Sequence, residues 1–206
     1  MSKKWIPALL LAAVLLLGGC TLFEKAPEEL TIKNAQMNTI LVCDDGSIES
    51  LLMEEFGEDY SVDELKAYVE AAANEYNAEF GEGKITVKDV ELSEEGKAVV
   101  ILHYADTKAF SDFNSMQLEV TVGNKLTTTP NEVRSAKKDE ITEAKLVLTD
   151  AYTCAALGPV GEGENAYRVF VSHKIAYYAG GVKDNTYTVT GDGTETVYAF
   201  YKVKKK

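Results

Sequence analysis

Tryptophan, histidine and cysteine are nearly absent from this chain of 206 residues, and cations are scarce: one Trp, two His, three Cys, and 21 Lys or Arg against 33 Asp or Glu. A net charge of −12 argues against nucleic acid as a partner, because binding phosphates requires a basic footprint. The only cationic cluster is the tail Lys202–Lys206, interrupted by Val203. That tail reads as a solvated terminus, with contact to anionic lipid or cell-wall polymer as the functional alternative.

The two histidines, His103 and His173, are unaccompanied by a His-Glu-x-x-His or Cys-x-x-Cys arrangement, so zinc finds no close-spaced ligands. Both read as strand residues. Ser172 precedes His173, but neighbouring strand side chains face opposite ways, so a Ser–His relay needs partners from elsewhere in the fold. Acids are abundant, yet Glu54-Glu55 and Glu94-Glu95 fall at strand ends or turns, where solvated charge is the norm. Asp44-Asp45-Gly46, Asp184-Asn185 and Asp192-Gly193-Thr194-Glu195 lack the ligand spacing of a calcium loop and match ordinary turn chemistry. The glycine-rich stretch Gly158–Glu164 lacks the Lys-Ser/Thr ending of a phosphate loop. No catalytic set, metal or cofactor is expected, and the protein is expected not to be an enzyme.

What is present begins at the N-terminus. Lys3 and Lys4 precede an apolar run from Trp5 to Leu17, and small residues lead to a cysteine in Leu17-Gly18-Gly19-Cys20. That is the layout of an export signal. The run of about 13 residues reaches about 20 Å as a helix, short of the ~30 Å hydrocarbon core, so it does not serve as a permanent span. Leu-Gly-Gly-Cys resembles the bacterial lipobox. By that resemblance residues 1–19 are removed and Cys20 carries a diacylglyceryl group, whose two chains hold a soluble domain at a bilayer. Removal takes away two lysines and the only tryptophan, leaving 19 cationic and 33 anionic side chains, a net −14.

Cys43 and Cys154 then remain, an even pair in an exported chain, and a disulfide between them is permitted. Their apolar surroundings, Ile40-Leu41-Val42-Cys43 and Cys154-Ala155-Ala156-Leu157, equally suit buried free thiols.

Residues 20–30 read as a tether and 31–125 as an α+β subdomain. Met37–Cys43 and Ile48–Glu54 form a hairpin across Asp44-Asp45-Gly46-Ser47. Ser61-Val62-Asp63-Glu64 is a capping box opening a helix over Val62–Phe80, with Leu65, Tyr68, Val69, Ala72, Tyr76 and Phe80 as its apolar stripe and Gly81 as its stop. Ile85–Leu92 and Lys97–Tyr104 form a second hairpin whose second strand is apolar on both faces. Asp106 caps a short helix through Asn114, and a strand follows over Met116–Val122.

The polar stretch Leu126–Asp139, broken by Pro130, predicts a boundary, and residues 140–206 form a β-rich subdomain with strands over Ile141–Thr149, Tyr167–Tyr178, Thr186–Thr190 and Glu195–Val203. The expected class is α+β: antiparallel hairpins packed on one main helix, followed by a mostly-β meander or small sandwich.

The pattern of Ile48–Asn114, with Tyr60-Ser61-Val62-Asp63-Glu64-Leu65, Glu75-Tyr76-Asn77 and Phe110-Ser111-Asp112-Phe113-Asn114, resembles uncharacterised surface lipoproteins of anaerobic Firmicutes. The resemblance covers about a third of the chain. It implies a lipid-anchored protein on a Gram-positive cell surface and supplies no activity or site.

The tyrosines Tyr177, Tyr178, Tyr198 and Tyr201 are the most suggestive cluster, since tyrosine serves sheet packing and recognition alike. Tyr198 and Phe200 share one strand face and Tyr201 takes the other. The functional expectation is a lipid-anchored extracytoplasmic binding module contacting an envelope protein or a cell-wall polymer. A solute-binding accessory to a transporter is the alternative, and a cell-envelope enzyme comes third.

Overall fold

The computed structural model describes residues 27–34, 36–57, 61–160 and 166–203. The signal, Leu17, Gly18, Gly19, Cys20 and the first part of the tether lie outside the described residues, as do Tyr60, most of the Gly158–Glu164 loop and the last three lysines.

Among the described residues, thirteen strands and two α-helices follow one another as β1 (Thr39–Val42), β2 (Ile48–Glu54), α1 (Val62–Phe80), β3 (Ile85–Leu92), β4 (Ala98–Tyr104), α2 (Thr107–Asn114), β5 (Leu118–Val122), β6 (Glu132–Ser135), β7 (Ile141–Glu143), β8 (Thr153–Leu157), β9 (Tyr167–Val171), β10 (Ile175–Ala179), β11 (Val182–Asn185), β12 (Thr188–Gly191) and β13 (Val197–Tyr201). They build a seven-stranded sheet in the order β11-β12-β9-β1-β2-β4-β3 and a six-stranded sheet in the order β5-β8-β13-β10-β6-β7. The class is α+β. Every pairing is antiparallel except β1 with β9, where Thr39 to Val42 run alongside Arg168 to Val171.

Three apolar layers result from strand alternation. Between the sheets, Ile40, Val42, Leu102, Tyr104, Val169 and Val171 of the first meet Leu118, Leu157, Ile175, Val197, Ala199 and Tyr201 of the second. On the outer face of the first sheet, Leu41, Leu51, Val99, Ile101 and Phe170 are covered by Leu30 and Ile32. On the outer face of the second, Cys154, Ala156, Tyr198 and Phe200 lie beneath Val133, Ala144 and Val147.

The capping box of α1 forms as expected: the Glu64 N–H donates to Ser61 Oγ and the Ser61 N–H donates to the Glu64 carboxylate. Asp106 caps α2 by accepting the Ala109 N–H at 2.8 Å. Of the expected stripe of α1, Leu65, Val69, Ala72 and Tyr76 are half-buried, and only Tyr68 and Phe80 are exposed. Val69, Ala73 and Tyr76 face the interior, while Tyr68 is 74% exposed, because the helix packs almost wholly on β3 along one narrow line.

The expected boundary at Leu126–Asp139 does not divide the molecule. It contributes β6 to the second sheet, and strands from both halves of the sequence share each sheet. The parallel β1–β9 pair fuses them in the first sheet and the antiparallel β5–β8 pair in the second, long-range contacts that no local pattern announces. The strand expected over Tyr167–Tyr178 is two strands in different sheets, split by a bend at Ser172–Lys174. Val171 and Ile175 are both buried on the interior side, so the alternation runs unbroken through the bend and conceals it. The strand expected over Ile141–Thr149 stops at Glu143 and gives way to a 3-10 turn, Ala144–Leu146. There burial falls on Ala144 and Val147, a spacing of one turn.

Candidate functional site

The four tyrosines do not form one surface. Tyr178, Tyr198 and Tyr201 are buried at 6%, 5% and 4% exposure, as parts of the sheet layers, and burial pushes the hydroxyl pKa of each upward. The recognition surface expected of them is therefore corrected to core, for the physical reason that both faces of β13 are covered and Tyr178 of β10 packs in the layer between the sheets. Tyr177 alone stays half-buried and reaches a groove.

That groove, about 570 Å³, opens on the outer side of the second sheet and is lined by Tyr152, Tyr177, Lys137, Lys202, Ile141 and Leu146 among others. Tyr152 and Tyr177 meet edge to face with ring centroids 5.7 Å apart. The Lys202 ammonium stands 4.7 Å over the Tyr152 ring, within cation–π range. Residue parity explains how Lys202 arrives there: Tyr198 and Phe200 face outward from β13, and the next residue of that parity is Lys202. Lys138 also lines the groove and pairs with Glu140 at 3.9 Å. Neither Lys137 nor Lys202 has a carboxylate at ion-pair distance among the described residues. Ile141 and Leu146 are 57% and 51% exposed, two large apolar side chains beside cations.

A second cavity, about 400 Å³, sits at the end of β1 and β9, between Pro27, Leu41, Cys43, Asp44, Ser172 and Tyr187. His173 adjoins it, on the bend and not within a strand as expected. Its Nδ1 lies 3.2 Å from Asp44 and 3.4 Å from Ser172 Oγ, and Ser172 donates directly to Asp44. Carboxylate and hydroxyl thus meet the same ring nitrogen. A hydrolytic relay requires the imidazole between them, acid on one nitrogen and hydroxyl on the other. This cluster is a turn-closing contact, not a nucleophile with its base.

No family model, curated protein or solved structure matches this chain.

Both Cys43 and Cys154 are free thiols, so the permitted disulfide is not formed. Cys43 lies with the outer layer of the first sheet and Cys154 with the outer layer of the second, the whole sandwich apart. Desolvation pushes both thiols above their ordinary pKa, away from the thiolate that a nucleophile needs. The three acidic loops serve as turns. Asp45 accepts the Ser47 N–H at 2.9 Å, Asn185 the Tyr187 N–H at 2.8 Å and Asp192 the Thr194 N–H at 2.9 Å. No group of three metal-ligating side chains, and no helix long and apolar enough to cross a membrane, occurs among the described residues.

Proposed function

We propose that this protein is a lipid-anchored extracytoplasmic interaction module, held through a diacylglyceryl group on Cys20, and that its contact surface is the groove of Tyr152, Tyr177, Lys137 and Lys202. The observation that carries the reading is the groove itself: in a chain of net charge −12, two aromatic rings and two ammonium groups with no carboxylate at ion-pair distance among the described residues converge beside exposed aliphatic side chains. Such a surface suits an anionic envelope component. The lipobox and the likeness of Ile48–Asn114 to Firmicutes surface lipoproteins support the Gram-positive cell surface as its place of work.

Anchoring raises the effective concentration of the domain near the membrane, so a weak contact becomes sufficient. A solute receptor for a transporter is the less favoured reading, because such receptors enclose ligand between two lobes of alternating strands and helices. An enzyme is less favoured still, given the geometry around His173.

The test is crosslinking on intact cells from a photoreactive group at Leu146, followed by identification of what is captured. One abundant anionic envelope component supports the reading. Equal capture from Leu146 and from a control position at Tyr68 removes the groove as the contact surface. Release of the Cys20→Ser variant into the medium supports the anchor, and retention in the membrane argues against it.

A further inference from the structure

We infer that the groove docks on the bilayer that carries the anchor, with anionic phospholipid headgroups as its occupant. This inference rests on the proposed Cys20 anchor and names the partner of the same site.

The first support is position. Pro27 lines the cavity with Asp44 and Ser172, at the end of the sandwich where β9 turns into β10. His173, on that turn, meets Tyr201 at a tilt with centroids 5.7 Å apart, and Lys202 follows directly. The described chain therefore begins over the outer face of the first sheet, the face opposite the groove, but at the same end of the strands as Lys202, Ile175 and Ala176. Only six residues separate Cys20 from Pro27, which covalent geometry limits to about 25 Å. A short leash attached at this end brings the same end toward the membrane.

The second support is composition. Exposed Ile141 and Leu146 beside tyrosines and lysines reproduce what interfacial segments use: aliphatic side chains entering the headgroup boundary, tyrosine at headgroup level, and lysine on the anionic phosphates.

The third support is charge. The processed chain, net −14, is repelled by an anionic leaflet in most orientations, so an apolar groove lined by three lysines and one glutamate selects one. Each lysine near such a surface favours the docked state by about fivefold.

The experiment uses the processed, lipidated protein purified from membranes and reconstituted in vesicles of phosphatidylcholine alone or phosphatidylcholine with phosphatidylglycerol. A water-soluble amine-acylating reagent reads lysine exposure by mass spectrometry, with Lys66 on α1 as the internal control. The expected result is about fivefold or greater protection of Lys137, Lys138 and Lys202 in the anionic vesicles, unchanged Lys66, and loss of the protection in high salt. Equal reactivity in both vesicle types overturns the inference. So does protection in neutral vesicles by added polyphosphate that exceeds protection by anionic lipid, which assigns the groove to a soluble polymer. Co-sedimentation with neutral vesicles reads the anchor alone, so an absent anchor and an undocked groove give different results.

Discussion

Glu49 holds the Lys88 ammonium at 2.7 Å with one carboxylate oxygen and accepts the Leu30 N–H at 2.7 Å with the other. A single buried acid on β2 thereby ties the edge strand β3 to the N-terminal segment that covers Leu41, Leu51 and Phe170. Lys88 also reaches Glu29 at 3.1 Å. Burial alone would lower the Lys88 pKa, but its hydrogen bonds to Glu49 and Glu29 outweigh burial and raise it.

Replacing this acid is expected to loosen the N-terminal segment. Glu49→Ala leaves the Leu30 N–H and Lys88 without their acceptor and is expected to cost about 1–3 kcal/mol, read as a lowered urea midpoint. Limited proteolysis should then cut first within residues 27–37. Glu49→Gln keeps an acceptor for Leu30 and should cost less.

Two glycines with similar backbone geometry should respond differently to alanine. Gly83 has φ +76° and open space where a Cβ would stand, whereas Gly180 has φ +68° and a Cβ there would lie 1.9 Å from the Thr196 carbonyl oxygen. Gly83→Ala is expected to cost about 1–2 kcal/mol from the backbone alone. Gly180→Ala adds a backbone collision between β10 and β13 and should cost more than about 3 kcal/mol, measured by thermal or urea unfolding.

The two thiols should differ in reactivity. Cys43 is half-buried with a raised pKa, and Cys154 is fully buried with a pKa raised further by desolvation. At neutral pH an alkylating reagent is expected to modify Cys43 slowly and Cys154 only after denaturant is added. The mass of the unreacted protein should be identical with and without reductant.

Acid should destabilise the fold partly through Asp106. The Lys84 ammonium at 2.7 Å, together with the Ala109 N–H, holds its carboxyl below the ordinary value. A lowered folded-state pKa gives stability that is present above the unfolded value, about pH 4, and lost as the pH falls through the folded one. Asp106→Asn preserves the cap and removes the titration. Its melting temperature should be lower than that of the parent at neutral pH, with the gap closing on acidification.

The Tyr104 hydroxyl is a buried junction, 3.2 Å from Ser50 Oγ and accepting from Asn114 Nδ2 at 3.0 Å. Tyr104→Phe retains the ring contact with Phe110, at 5.2 Å, takes the hydroxyl from buried Ser50, and leaves Asn114 Nδ2 with its bond to the Phe110 carbonyl alone. A loss of about 1–2 kcal/mol is expected, measured by urea unfolding.

Elements governed by near neighbours were legible in the sequence. The α1 capping box, the Asp106 cap, the Gly46 turn and the two hairpins form because each hydrogen bond or positive φ is satisfied within a few residues. The outward parity of Lys202 was legible too, given the Tyr198–Phe200 alternation. Strand β8 was hidden by its small residues, Ala155 and Ala156, which give little strand signal, and with it went the Tyr152 side of the groove. Strand β6 was hidden by the polarity of an edge-side segment, and the bend at Ser172–Lys174 by an alternation that continues across it.

Local chemistry, the acidic balance and the order of hairpins and helices were thus determined by the sequence alone, since they depend on interactions of short range. Only the tertiary structure decided that β1 and β9 pair in parallel, that both sheets draw on both halves of the chain, and that Tyr198 and Tyr201 are core while Tyr152 and Lys202 share a groove. The physical reason is that a strand offers two faces and two edges of equal intrinsic chemistry. Which face is buried and which edge is paired depends on what distant segments bring to it.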